Sequence, residues 1–517
     1  MGPPLTRRAL FGLGLACTAF LAAALAPAEA PERLHVVLLH TNDLHGQVQA
    51  RPAVWLDRED PPPIGGLPRL AACVRRVRRE AEESGSHVLL VDGGDWFQGT
   101  PEGSVEDGRT FVEALTKVGH DALVVGNHEL DHGVEALADM IATYEVPALV
   151  ANVFERAGGP RVSWAKPYEV VELGPLRVAV VGFITPVTPS ITHPDASGLH
   201  FQAPADALTD LLPRLRDEAD WILPITHLGV VGDRRLAKAH PELEVIVGGH
   251  SHTYLKEGLT QGETFLVQAG SKASAVGRLD LWFDGETKEL LERRYRILDL
   301  LEEPEEADRD TAVEEICAAL VERSEREMNA EVGRLAEPLE RTFRRVHSSP
   351  AGNLITDVLR EALSGDVAIQ NRGGIRCDLP AGPVTRRSLF ELLPFGNHLV
   401  LLELTGQELF DCVRASVEGT AHTGLEVSGM TIVYRLEGKD PVLVDLEIDG
   451  RSLPRDSTVR LVTNNFLAGG GDGYTTLKQA KRLQEDPRLL REVLEARFRR
   501  EGTVALPRDE RYREAQP

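Results

Sequence analysis

Ala122-Leu123-Val124-Val125-Gly126-Asn127-His128-Glu129-Leu130-Asp131 sets four apolar residues directly ahead of an amide, an imidazole and two carboxylates. The apolar run reads as a buried strand, and the polar residues as a loop delivered at its end. The same order recurs through the N-terminal half. Apolar run 36–39 precedes Asp43 and His45 in TNDLHG, and 88–91 precedes Asp95 in DGGDWFQG. Runs 221–225 and 245–247 precede His227 in THLG and His250 and His252 in GGHSHT. A single Asp or His after a strand is ordinarily a cap or a turn residue. Five such ends in one strand series point instead to a shared site, expected along one sheet edge.

Helical patterns at 67–83, 110–118 and 133–144 alternate with these strands and with further ones at 147–151 and 178–183. That alternation predicts a layered α/β domain over residues 31–302, with a largely buried sheet. Glu302-Glu303-Pro304-Glu305-Glu306 then breaks the pattern, and apolar spacing at Val313, Ile316, Leu320 and Val321 predicts a helix over 311–328. It reads as a linker helix within 303–333. Residues 334–517 mix strands and helices less regularly, which predicts a second, α+β domain, and 508–517 read as a frayed tail.

The chain has 517 residues, too many for one ordinary core, and a formal charge of -23. Such a charge argues against a general nucleic-acid surface, which needs clustered Lys and Arg. Residues 1–30 read as an export signal: Arg7-Arg8 ahead of Leu10-Phe11, an apolar segment to Ala26, and Ala28-Glu29-Ala30 as a cleavage site. The paired arginines suit the twin-arginine route as well as an ordinary secretory signal. The expected location is periplasmic or extracellular, with no membrane insertion after cleavage. Cys73, Cys317, Cys377 and Cys412 lack CxxC spacing, so neither a zinc knot nor a dense disulfide framework is indicated.

Histidine and carboxylate donors at several strand ends suit zinc, manganese or iron. Two divalent ions held close together repel, so a carboxylate must bridge them, and Asp95 beside Gly93 and Gly94 suits that place. TNDLHG, GDWFQG, GNHELD, THLG and GHSHT in this order resemble the calcineurin-like metallophosphoesterases, and more closely the bacterial 5'-nucleotidase and UDP-sugar hydrolase family. The resemblance implies a four-layer α/β sandwich, a second α+β substrate-binding domain and two divalent metal ions. It implies Asp43, His45, Asp95 and His252 around one ion, and Asp95, Asn127, His227 and His250 around the other. Some members have Gln at the place of His252. His128 is then implied as the catalytic imidazole, oriented by Asp131, with in-line attack on phosphorus by hydroxide held at the metals. Glu129 is left without a role.

The C-terminal half carries the family's substrate marks. LERTFRRVHSSPAGNLITD contains Arg341 and Arg345, four apart, and NRGGIR adds Arg376; three guanidiniums suit a phosphate. By resemblance, Phe395 of PFGN and Phe466 of NNFLAGGGDGY sandwich a nucleobase, Asn397 contacts the base and Asp472 the ribose. The implied activity is hydrolysis of 5'-nucleotides to nucleoside and phosphate, with UDP-sugars or 2',3'-cyclic nucleotides as further substrates. Rival readings are a thiosulfohydrolase or general phosphoesterase on the same scaffold, or a nucleotide-binding protein without catalysis.

Overall fold

In the computed structural model, residues 33–515 are described apart from 54, 58 and 343. The signal read at residues 1–30 lies outside them. Strands of the first domain are nearly all apolar because both of their faces are covered. β1 (Arg33–Thr41), β2 (His87–Asp92), β3 (Ala122–Val124) and β4 (Ala148–Leu149) run parallel in one six-stranded sheet. β5 (Tyr168–Leu173), β6 (Leu176–Ile184), β7 (Trp221–His227), β8 (Val245–Val247), β9 (Leu259–Gln261) and β10 (Thr264–Val267) form a second, in the order β9-β10-β8-β7-β6-β5. β11 (Ala275–Asp284) pairs antiparallel with β1, and β12 (Leu290–Asp299) completes the first sheet.

Successive residues of a strand face opposite sides, and here that places each in a different layer. Val36, Leu38, Leu89 and Val91 meet Val178, Val180, Leu223 and Ile225 between the two sheets. Val37, Leu39 and Leu90 face outward onto α1 (Leu67–Ser84) and α2 (Arg109–Val118) through Leu70, Val74, Phe111 and Leu115. On the opposite outer face Ala179, Val181 and Phe183 pack on Leu208, Leu211 and Leu215 of α4 (Pro204–Glu218), which follows α3 (Val134–Tyr144). The result is the four-layer sandwich expected. The sheet count differs from expectation: the functional strand ends come from two sheets, not from one edge, because β1–β3 and β7–β8 lie in different layers.

α5 (Gly229–Ala239) covers the second sheet beside α4 through Leu236. α6 (Thr311–Met328) starts where Asp310 accepts the Val313 amide at 3.2 Å. It buries Val313, Cys317 and Leu320 in the same outer core as α1 and α2, so its apolar face belongs to the first domain. The second domain is built on a five-stranded mixed sheet containing β13 (Val367–Asn371), β14 (His398–Thr405), β15 (Leu425–Ser428), β16 (Thr458–Asn464) and β17 (Lys481–Leu489). One face packs on Leu354 and Val358 of α7 (Pro350–Ala362), the other on Leu409 and Val413 of α8 (Gly406–Val417).

The C-terminal segment is not frayed as expected. Tyr512–Glu514 forms a strand parallel to Thr431–Glu437, with Tyr512 and Arg511 buried. Arg511 bonds Asp357 and Asp509, both at 2.8 Å, which satisfies a guanidinium that its short, charged surroundings in the sequence do not explain. Among the described residues, Cys73, Cys317, Cys377 and Cys412 are all free thiols.

Candidate metal centre

The side chains read as ligands leave the carboxyl ends of β1, β2 and β3 in one sheet and of β7 and β8 in the other. Asp43, His45, Asp95 and His252 place ligand atoms within 4.8 Å of one another, as do Asp95, His227 and His250, so Asp95 is common to both groups. His45 Nε2 lies 2.8 Å from His252 Nε2, and His252 Nε2 lies 3.3 Å from Asp43 Oδ1. In the second group His227 Nε2 lies 3.1 Å from Asp95 Oδ2 and 3.2 Å from His250 Nδ1, and Asn127 Oδ1 lies 3.1 Å from His250 Nδ1. His45 Nδ1 meets the Gln98 carbonyl and His227 Nδ1 the Gly93 carbonyl, each at 2.7 Å. Those carbonyls accept a hydrogen bond from each ring's Nδ1–H, which fixes the tautomer whose Nε2 lone pair faces inward, the one a metal ligand needs. Ring nitrogens and carboxylate oxygens gathered this closely fit two cations.

Backbone conformation supports a purpose beyond folding. Asp43, His45, Asp95, His250 and His252 all adopt left-handed φ, between 49° and 75°. Such positions cost on the order of 1–3 kcal/mol each and persist where surrounding structure enforces them. Gly94 is required beside them, because a Cβ there would come within 2.7 Å of His227 Nδ1 and 2.9 Å of the Gly126 nitrogen.

His128 Nδ1 lies 2.6 Å from Asp131 Oδ2, and Thr192 Oγ1 donates to Asp131 Oδ1 at 3.1 Å. Burial alone would strip the imidazole of its proton, but the Asp131 and Asp95 charges prevail and raise its pKa to about 10. Burial lowers His45 to about 4. Glu129, without a role in the sequence reading, accepts the amides of Asp95 at 2.9 Å, Trp96 at 2.6 Å and Gly126 at 2.7 Å. One buried carboxylate thereby joins the loop that carries Asp95 to the loop that carries Asn127 and His128. Burial and the neighbouring Asp95 push its pKa up to about 8.

In the second domain Phe395 and Phe466 are exposed, 48% and 43%. Phe466 lies against Gly471, where a Cβ would approach its ring to 2.5 Å. Asp472 accepts Asn371 Nδ2 and Thr423 Oγ1, both at 2.8 Å and both through Oδ2. Arg376 has its guanidinium carbon 5.9 Å from the Phe395 ring centre, Arg345 is exposed next to Gly419, and Arg341 Nε donates to Asp378 at 3.0 Å. Asn397 is half-buried, and its carbonyl accepts the Leu490 amide at 3.0 Å. Gly396, between Phe395 and Asn397, comes near the metal side: a Cβ on it would lie 3.4 Å from Gln98 Nε2, and the Gln98 carbonyl is the one that orients His45.

Two further arginines were not legible from sequence. Arg372 is clamped by Glu426 at 3.1 Å and the Arg345 carbonyl at 3.1 Å, a structural role that its neighbour Arg376 does not share. Arg491 donates to the Phe395 carbonyl at 3.0 Å and so supports the PFGN turn from the helix Leu490–Glu501. Arg372 lies in the NRGGIR stretch quoted for Arg376, but nothing there tells the clamped arginine from the other, and Arg491 carries no motif that sets it apart among the many arginines of an acidic chain.

Residues 36–254 match the calcineurin-like phosphoesterase family, and residues 331–479 match the 5'-nucleotidase C-terminal domain. A 5'-nucleotidase of Vibrio cholerae serotype O1 is 27% identical over 496 residues, covering 86% of this chain and 87% of that one. The snake venom 5'-nucleotidase of Naja atra is 29% identical over 504 residues, covering 86% and 92%. The crystal structure of a 5'-nucleotidase precursor from Thermus thermophilus superimposes with a TM-score of 0.62 at 29% identity, covering 94% of this chain and all of that one.

Proposed function

Because this chain belongs to the metal-dependent phosphoester hydrolases that join a calcineurin-like phosphoesterase domain to a 5'-nucleotidase C-terminal domain, we propose that it hydrolyses nucleoside 5'-phosphates to nucleoside and phosphate. The observation that carries this reading is the pair of donor clusters sharing Asp95, with Gly396 of the second domain close to Gln98 at their edge. Relatives of matching length include 5'-nucleotidases.

The family works with two divalent metal ions, and the donor set fits them. Asp43, His45, Asp95 and His252 would hold one, and Asp95, Asn127, His227 and His250 the other; bound there, they supply Lewis-acid activation of water and of the phosphoryl group. The protein's own groups do the remainder. His128, kept charged and oriented by Asp131 through Nδ1, presents Nε2–H to a phosphoryl oxygen and offsets charge that develops as the bond to the 5'-oxygen breaks. Arg341, Arg345 and Arg376 draw the phosphate in, Phe395 and Phe466 stack on the base, and Asn397 and Asp472 contact base and ribose. The oxygen of water ends on phosphorus, the nucleoside leaves with the 5'-oxygen, and that oxygen takes up a proton.

With α6 seated in the first domain, the linker read within 303–333 narrows to the residues after Met328, ahead of the strand Glu331–Leu335. The leader at residues 1–30 supports export, and the Arg7-Arg8 pair supports the twin-arginine route. Among the described residues no helix is long and apolar enough to cross a membrane.

The test is phosphate release from AMP by the purified protein, with its metal content measured on the same sample. The expected result is release that stops on chelation and returns on adding zinc or manganese. Release of phosphate from aryl esters but not from AMP would contradict the nucleotidase reading.

A further inference from the structure

The helix Leu490–Glu501 begins at the domain boundary, and its first turn holds the PFGN turn twice. The Leu490 amide donates to the Asn397 carbonyl and Arg491 Nη1 to the Phe395 carbonyl, each at 3.0 Å. Phe390 locates the Arg491 side chain, with its ring centre 5.0 Å from the guanidinium carbon. Arg491 and Phe390 share a cavity of about 460 Å³ with Ser104, Glu106 and Asp107 of the first domain. The same arginine therefore bonds the substrate-reading turn and borders the domain that carries the donor cluster.

The first-domain surface met here is the one that orients His128. Asp131 meets His128 through Oδ2 and Thr192 through Oδ1. Thr192 is buried, and the segment just after it, Pro194–Gly198, lies against β17, the strand that runs straight into the helix of Arg491. That segment is tied back to the Asp131 loop, because Asp195 accepts the Val134 amide at 2.9 Å. Burial lowers the Arg491 pKa while the charges of Glu492 and Asp131 oppose the shift, so the Asp131 carboxylate lies within electrostatic reach of the guanidinium. Where protein displaces water between them, opposite charges attract more strongly than on an open surface. The second domain thus approaches the His128–Asp131 pair by two paths, one through charge and one through packing on the segment after Thr192.

We propose that Arg491 is a positioning residue that couples substrate reading to the His128–Asp131 pair: one guanidinium holds the PFGN turn by its backbone and attracts the Asp131 carboxylate across the domain boundary. His128 is then fully aimed only when the second domain is seated with its PFGN turn beside the donor cluster. The inference rests on the phosphohydrolase reading, in which His128 Nε2–H meets a phosphoryl oxygen. Support of the turn alone would affect only substrates that have a base to read. Attraction of Asp131 acts on every phosphoester, because it sets the imidazole rather than the base platform.

The metal-loaded full-length protein is compared with Arg491→Gln, Arg491→Lys, Asp131→Asn and the Arg491→Gln/Asp131→Asn double variant on AMP and p-nitrophenyl phosphate, with melting temperature and metal content measured on each. The expected result is that Arg491→Gln lowers kcat for the aryl ester by about three-fold or more, a size typical of coupled neighbours, and that Arg491→Lys restores most of it. In the Asp131→Asn background Arg491→Gln should change kcat little further, because the group through which it acts is already lost. A change confined to KM for AMP would leave Arg491 as a support of the turn and overturn the coupling, as would additive effects in the double variant. If the wild-type protein hydrolyses neither substrate, the phosphohydrolase reading fails instead. Proton NMR then decides the coupling separately: a low-field His128 Nδ1–H signal, identified by its loss in Asp131→Asn, that shifts in Arg491→Gln and recovers in Arg491→Lys supports it, and an unshifted signal overturns it.

Discussion

The carboxylate of Glu129 accepts three backbone amides from two loops, so the placement of Asp95 and of Asn127 depends on a residue that itself faces neither cluster. Glu129→Gln would turn one acceptor oxygen into a donor aimed at an amide. Groups that orient metal ligands typically contribute 10–100-fold to metal affinity, so calorimetric titration should show zinc or manganese binding weakened by about ten-fold or more. Unchanged affinity in a folded variant would remove Glu129 from the site. His128 makes the opposite prediction. His128→Ala should lower kcat for AMP by about 10²–10⁴-fold with metal content intact, the size typical of a lost proton-donating group. Loss of bound metal would make it a ligand instead. Positions such as Asp43 and His227 were legible because apolar strands announce the loops that follow them. The function of Glu129 was not, because a Glu that accepts three amides looks in sequence like any other Glu.

At the scale of elements, the strands and most helices followed from periodicity, and the helix read over 311–328 coincides with α6. What periodicity did not resolve was partnership. β11 pairs with β1 across more than two hundred residues, and the division of functional strand ends between two sheets rests on such long-range pairings. The strand Tyr512–Glu514, of which Tyr512 is buried, was missed for the same reason: three residues in a charged tail carry no periodic signal, and only the neighbouring strand gives them a place. The loop Gly469-Gly470-Gly471-Asp472 has an element-scale test. A methyl group on Gly471 would reach Phe466 at 2.5 Å and push the ring from its position. Gly471→Ala should therefore raise KM for AMP several-fold relative to an aryl phosphate, measured side by side; parallel changes on both would show that the Phe466 ring is not a base platform.

Over the whole molecule, the proposed metal-holding side chains and the proposed substrate-reading residues lie in different domains with separate cores. The PFGN turn bridges them: Arg491 supports it from the second domain, and Gly396 reaches Gln98 beside His45 in the first. Neither contact can be read from sequence, since nothing local marks which surface turn will meet which ligand loop. The division of labour makes the central claim testable in one comparison. Stacking contributes about 1–3 kcal/mol per aromatic face, so removing two faces should cost AMP roughly 30-fold or more in kcat/KM. The measurement is kcat/KM of the metal-loaded Phe395→Ala/Phe466→Ala protein for AMP against p-nitrophenyl phosphate. A loss of that size for AMP with little change for the aryl ester is the result predicted, and an equal loss for both substrates would contradict a nucleotide-reading second domain.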